Sequence, residues 1–233
     1  RYIIHLATDK HLSSNSCLLH LQGIRFLYLQ VLKRPPCDIH VLAPNRERRI
    51  PELLTRREAL DIVNFPKNVK HKTQLQLCYS CGLRISEVLA LRVKNIDGEN
   101  RLLKVEQGKG KKDRLVPMPE AMLHQLRCCW SVYHPEDIFF YSSPHLDRQV
   151  HPSSVTKVLK KTKQSLGITK HGGCHSLRHA YATHQLEAGL PLHLLQRWLG
   201  HTDIRTTMRY IHWVPSYQNG QSRLIDLLGG SHG

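Results

Sequence analysis

The stretch Gly173-Cys174-His175-Ser176-Leu177-Arg178-His179-Ala180-Tyr181-Ala182 sets an imidazole and a guanidinium three residues apart. On a helix over residues 175–188, His175 and Arg178 share one face and point together. Downstream come Leu199-Gly200-His201 and, nine residues later, Tyr210 within Thr206-Thr207-Met208-Arg209-Tyr210-Ile211-His212. The spacing predicts helices over 191–199, with Pro191 as first residue, and over 203–212. Upstream lies Cys81-Gly82-Leu83-Arg84-Ile85-Ser86-Glu87, where Gly82 takes the left-handed turn at a helix end and Arg84 follows it.

Outward from these boxes the pattern stays helical. Thr55 and Glu58 form a capping box for a helix through Ala59, Ile62 and Val63 that ends near Pro66, and a second helix runs from Val69 to Gly82. Leu102, Leu103 and Val105, then Gln107 to Lys111, then Leu115 and Val116 read as a basic hairpin of two short strands joined by a glycine-containing turn. Further helices cover 119–132, 152–166 and 221–228. In 152–166, Val155, Val158, Leu159 and Leu166 point inward, and Lys157, Lys160, Lys161 and Lys163 make a positive outer face that tracks phosphates. The fold class is mainly α with a small antiparallel β-hairpin or sheet.

Residues 2–32 hold two apolar helix-length segments, and Leu18, Leu19, Ile24, Leu27, Tyr28, Val31 and Leu32 of the second recur at helical spacing before Pro35 and Pro36. Two helices alone make a weak core. The stretch 35–52 is proline-rich and carries Arg46, Arg48 and Arg49, which reads as a linker to a domain over 53–214, followed by a tail over 215–233. The chain opens on Arg1, so an upstream segment is expected.

Across 233 residues, 34 Lys and Arg stand against 18 Asp and Glu, a formal net charge of +16 that points to a polyanionic partner. No stretch approaches the roughly 18 consecutive apolar residues of a membrane helix, and the N-terminus lacks signal-peptide order. Both observations argue against a membrane span and secretion. Seven irregularly spaced cysteines fit a reducing cytoplasm better than a disulfide framework. Cys78 and Cys81 could form half of a zinc site, but no second half has suitable spacing, and inside an apolar helix they read as core thiols. Glu87, Asp97, Glu99, Asp113 and Asp203 are too scattered for a two-metal nuclease, so neither metal nor cofactor is expected.

Five motifs in this order resemble the tyrosine recombinase, or phage integrase, family, including Xer-type recombinases and integron integrases. They are the glycine turn before Arg84, the Gly-Lys-Gly hairpin, and the His-x-x-Arg-His, Leu-Gly-His and Tyr-x-His boxes. The resemblance covers roughly residues 55–214. It implies a catalytic domain preceded by a helical core-binding domain, of which residues 1–34 would supply only part. It also implies that Tyr210 attacks a DNA phosphodiester to give a 3′-phosphotyrosyl link, which a 5′-hydroxyl later reverses without metal or ATP. Arg84 and Arg178 then supply guanidinium forks for the pentacoordinate state. A phenol with a free pKa of about 10 needs help from that cationic pocket. Lys109 is the expected general acid for the 5′-oxygen, with Lys111 and Lys112 as rivals. His175 would serve as proton acceptor or phosphate ligand, and His201 as donor to a non-bridging oxygen. Glu87 would orient Arg84, and His179 and His212 belong to family boxes that support the site, while His184 reads as packing or support. Cys174 stands where the family often has proline.

The expected partner is double-stranded DNA, contacted by Arg46, Lys111, Lys112, Lys157, Lys160 and Lys161, with a homotetramer on two sites and accessory proteins left open. The apolar helix over 221–228 either docks on a neighbouring subunit or folds back on its own chain. Two other functions fit the same residues: a truncated, non-catalytic DNA-binding remnant, and a nick-and-relax enzyme resembling type IB topoisomerases. The expected setting is a bacterial cytoplasm, in association with DNA.

Overall fold

Several helix starts in the larger part of the chain carry their own capping residue, among them Thr55, Asn68 and His151. The structure, a computed structural model, describes residues 2–35, 52–106, 113–142, 149–211 and 214. The expectations on Arg46, Lys109, Lys111, Lys112, His212 and the 221–228 helix lie outside the described residues. The chain divides into two units, Arg1–Pro51 and Glu52–Gly233.

In the first unit, α1 (Tyr2–Thr8) and α2 (Ser14–Phe26) are followed by a π-helical turn, Leu27–Val31. Ser13 caps α2 by accepting from the Ser16 backbone N–H. Ile3, Leu6 and Cys17 are the buried centre of this pair. The apolar stripe does not close over it: Leu18, Leu19, Leu27, Val31 and Leu32 are all exposed.

The second unit begins with the predicted capping box. The Glu58 backbone donates to Thr55 Oγ1 at 3.2 Å and the Thr55 backbone donates to Glu58 Oε2 at 2.7 Å, which opens α3 (Arg56–Asn64). Asn68 caps α4 (Val69–Ser80) through its side-chain oxygen alone, which accepts from the His71 backbone N–H. A short α5 (Ile85–Leu89) leads to an antiparallel sheet of β1 (Ile96–Asp97), β2 (Leu102–Val105) and β3 (Arg114–Pro117), in that order. Leu103 pairs with Val116 and Val105 with Arg114. Beyond the two strands expected, β1 adds an edge. Then follow α6 (Glu120–Tyr133), α7 (Pro152–Ser165), α8 (Cys174–Glu187), α9 (Leu192–Leu199) and α10 (Ile204–Ile211). Pro191 caps α9 from outside and is not its first residue. The fold is mainly helical with one small antiparallel sheet.

Two cores meet along α8. Leu177 and Ala180 belong to the larger one, built with α3 to α7 and the sheet, whereas Tyr181, Ala182 and Leu186 join Leu195, Leu199 and Tyr210 in the smaller one. Because α8 is packed on both sides, even its Arg178 is fully buried. Cys78 and Cys81 lie in the larger core with free thiols, which burial pushes up, Cys81 to about 12.

One lysine departs from the expected outer face. Lys157, Lys160 and Lys161 are exposed, but Lys163 is buried, its ammonium donating to the carbonyls of Lys170 and Gly172. Its long stem carries the charge along α7 to the loop that precedes α8. Among the described residues, no helix is long and apolar enough to cross a membrane.

Candidate active site

Gly82 turns the chain at φ +62° between α4 and α5, and a Cβ there would sit 2.4 Å from the Tyr181 ring. That turn delivers Arg84 to the start of α5. The Arg84 backbone N–H donates to Glu87 Oε2 at 2.8 Å, and its Nη1 donates to Glu87 Oε1 at 2.7 Å. Glu87 therefore holds the Arg84 side chain in place, and it holds more than one guanidinium.

Arg114 was absent from the sequence reading. It enters from β3, donating through Nη1 and Nη2 to the two Glu87 oxygens at 2.9 and 2.8 Å, and through Nε to the Trp198 carbonyl at 2.8 Å. Gly200, at φ +65°, makes room for it, since a Cβ there would lie 2.9 Å from Arg114 Cδ. A signal for it existed: Val116 is buried and Leu115 exposed, so strand alternation turns Arg114 inward with Val116.

Arg178 completes the cluster, with Nη1 3.6 Å from Glu87 Oε2. It donates to the Gly82 carbonyl at 2.7 Å and, through Nη2, to the Leu199 carbonyl at 2.6 Å, while its buried Nε has no partner. Nη2 also lies 3.2 Å from His201 Nε2. A guanidinium only donates, so His201 accepts at Nε2 and carries its proton on Nδ1, which donates to Thr207 Oγ1 at 2.9 Å.

Tyr210 arrives on α10, 3 % exposed. Its hydroxyl lies 2.9 Å from His179 Nδ1 and within the positive field of Arg178, and its ring lies parallel to His201 at 6.3 Å between centroids. His175 is exposed on the first turn of α8, edge-on to His179 at 4.4 Å between centroids. The structure therefore gathers Arg84, Glu87, Arg178, His179, His201 and Tyr210, with His175 beside them. His184 faces elsewhere, its Nδ1 3.0 Å from the Tyr79 hydroxyl.

The field of three guanidinium groups around one carboxylate governs titration here. Burial works to raise Glu87, but the Arg114 hydrogen bonds and charge, the Arg84 backbone N–H and the Arg178 charge overcome it and hold the carboxyl at about 2. Burial, then the charge of Arg84, brings Arg178 down to about 10. Burial, then the charges of Arg178 and Arg84, lowers His201 to about 3, and burial with His175 and Arg178 lowers His179 to about 4. His175 is lowered by desolvation and the same arginines. Tyr210 goes the other way from the expected activation. Burial raises its phenol, against the pull of Arg178 and Arg84. Among the described residues, no group of three or more His, Cys, Asp or Glu side chains could hold a metal ion.

This arrangement can bind an anionic, tetrahedral or trigonal-bipyramidal centre against fixed donors and offer it a phenol oxygen. Residues 52–216 match the phage integrase family. A tyrosine recombinase of Pseudothermotoga lettingae is 35 % identical over 224 residues, covering 91 % of this chain and 76 % of that protein. A crystal structure of XerA recombinase superposes with a TM-score of 0.67 at 25 % identity, covering 95 % of this chain and 79 % of that one. The XerH site-specific recombinase, solved bound to a palindromic difH substrate in a post-cleavage complex, gives a TM-score of 0.78 at 17 % identity, covering 96 % of this chain and 71 % of that one, a likeness of fold. The chain belongs to the phage integrase family. It is a tyrosine site-specific recombinase, and the relatives favour recombination over a non-catalytic remnant or a nick-and-relax enzyme.

Proposed function

We propose that this recombinase binds duplex DNA and cleaves one strand with Tyr210, forming a 3′-phosphotyrosyl link that a 5′-hydroxyl from a partner strand resolves. The observation that carries the reading is the placement of the Tyr210 hydroxyl against Arg178 and His179, in the cluster that also holds Arg84 and His201. In this reading Arg84 and Arg178 grip the scissile phosphate, and Arg114 joins Glu87 in fixing their forks. With phosphate on Arg178, His201 in its other neutral tautomer, with the proton on Nε2 and Nδ1 accepting from the Thr207 hydroxyl, donates to a non-bridging oxygen. His175, exposed at the rim, is a phosphate ligand. Lys109 of the hairpin protonates the leaving 5′-oxygen, with Lys111 and Lys112 as the alternatives to test.

Arg46, Lys111, Lys112, Lys157, Lys160 and Lys161 would hold the DNA backbone, with residues 1–34 part of a core-binding domain, 35–52 a linker, 53–214 the catalytic domain and 215–233 a tail. His212 would support the site from the Tyr-x-His box. Two bound sites would assemble a homotetramer. The free thiols and the relative in P. lettingae support a bacterial cytoplasm as the setting. The test is a nicked duplex, selected for binding from a random-sequence pool, incubated with the chain in chelator. A covalent adduct, lost in Tyr210→Phe, is expected; binding without an adduct would contradict the reading. For the tetramer, deleting residues 216–233 should abolish strand exchange while sparing that adduct.

A further inference from the structure

The Arg178 charge and the His179 ring act differently on the Tyr210 hydroxyl. Arg178 has no lone pair to receive a proton, and its charge favours the ionised phenol. His179 Nδ1, 2.9 Å away, offers a lone pair whenever the ring is neutral and protonated on Nε2, and the phenol O–H then points at it. Each group acts in its ordinary role in that pairing. His175, although it belongs to the same helix, is the ring next to His179 and stands beside it edge-on. His179 follows Arg178 directly in the chain, so the residue that grips the phosphate also fixes the position of the imidazole.

We propose that His179 is the catalytic base for Tyr210, taking the phenol proton during strand cleavage and returning it during rejoining. The proposal rests on Tyr210 being the nucleophile. As the phenol oxygen attacks phosphorus, the Tyr210 O–H bond breaks and its electron pair becomes available to the new O–P bond. The proton passes to His179 Nδ1, leaving an imidazolium with a proton on each nitrogen. The 5′-oxygen leaves with the electrons of its P–O bond and takes a proton from the hairpin lysine. Rejoining reverses each transfer.

Two features of the surroundings suit this role. Burial makes the phenol harder to ionise, so attack calls for a base within reach. Among the described residues, His175 and Arg178 from α8 and Tyr210 from α10 face His179, and burial, His175 and Arg178 keep the imidazole neutral at pH 7. A phosphodiester seated on Arg178 and Arg84 cancels part of that positive field. The basicity of His179 therefore rises when the substrate is in place.

The experiment follows single-turnover adduct formation by the full chain on the selected nicked duplex, with either an ordinary 5′-oxygen or a 5′-bridging sulfur at the scissile position. His179→Asn keeps an acceptor near Nδ1 but cannot take up a proton. It is expected to slow cleavage about a hundredfold with DNA affinity and melting temperature retained. Because sulfur leaves without an acid, the same defect is expected on the sulfur substrate, whereas a Lys109→Ala defect is relieved there. Added imidazole should restore part of the rate to His179→Ala, which a merely structural loss would not allow. Cleavage by His179→Asn within about threefold of wild type, or full relief by sulfur, overturns the proposal while the wild-type adduct stands. A wild-type chain that forms no adduct overturns both the nucleophile and its base.

Discussion

Arg114 and Glu87 meet fork to fork, with Nη1 on Oε1 at 2.9 Å and Nη2 on Oε2 at 2.8 Å, and both side chains are less than a tenth exposed. The pair ties β3 to α5, and through the Trp198 carbonyl it also ties both to α9, so three elements converge on one carboxylate. Arg84 and Arg178 lean on that same carboxylate. Two like-charged forks can stay side by side because Glu87 offsets their repulsion.

Removing Arg114 should therefore cost both stability and chemistry. Arg114→Ala leaves the Glu87 charge short of its bidentate partner, which typically costs about 3 kcal/mol or more. A lower urea midpoint and slower adduct formation are expected. Arg114→Lys should recover little of either, because an ammonium cannot make the paired contact. Wild-type stability in Arg114→Ala would show that the clamp is dispensable.

Acid should loosen the chain in two stages. In the folded chain His201 sits at about 3 and His179 at about 4, against an ordinary 6.5, so the unfolded chain takes up their protons first. Their contribution is complete above pH 6.5 and is lost as pH falls from there toward 4 and 3. Glu87, at about 2 against an ordinary 4.5, contributes fully above pH 4.5 and loses it as pH falls toward 2. Melting temperature measured from pH 8 to pH 4 should begin to fall near pH 6.5, and His201→Asn should flatten that first limb. A melting temperature unchanged between pH 8 and pH 5 would contradict the buried, neutral histidines.

Lys163 and Lys160 lie one helical turn apart on α7, yet they should behave differently. Lys163→Met removes the donor to the Lys170 and Gly172 carbonyls and should destabilise by about 1–3 kcal/mol. Lys160 is exposed, and Lys160→Met should leave stability within about 0.5 kcal/mol. If it touches a phosphate, the salt slope of DNA binding falls by about 1, from about −7 for roughly eight phosphate contacts. Titrations at several salt concentrations would measure this, and a flat slope in the wild type would reject backbone binding.

Much of this was legible in the sequence because the signals are local. The Thr55 and Glu58 cap, the Gly82 turn and the 3.6-residue periodicity each depend on neighbours within a few positions, and they set the helices where the structure has them. Arg84, His175, Arg178, His201 and Tyr210 lie in short boxes whose order resembles the motifs of the family, and such a resemblance can be read without any long-range contact. Arg114 could not be read that way, since its partner Glu87 is 27 residues away and the contact exists only once β3 faces α5. Lys163 looked like its lysine neighbours because periodicity describes where a side chain starts, not how far a flexible stem reaches. The Leu18 and Leu19 stripe shows the converse limit: helical spacing was present, but the described unit has no surface to cover it.

The most direct test of the account is to locate the covalent bond. Tryptic digestion of the adduct after Arg209 releases one peptide, residues 210–223, which contains both Tyr210 and Tyr217. Tandem mass spectrometry of that peptide should place the 3′-nucleotide on Tyr210 and leave Tyr217 unmodified. A nucleotide on Tyr217, or on any other residue, would contradict the assignment of Tyr210 as the nucleophile.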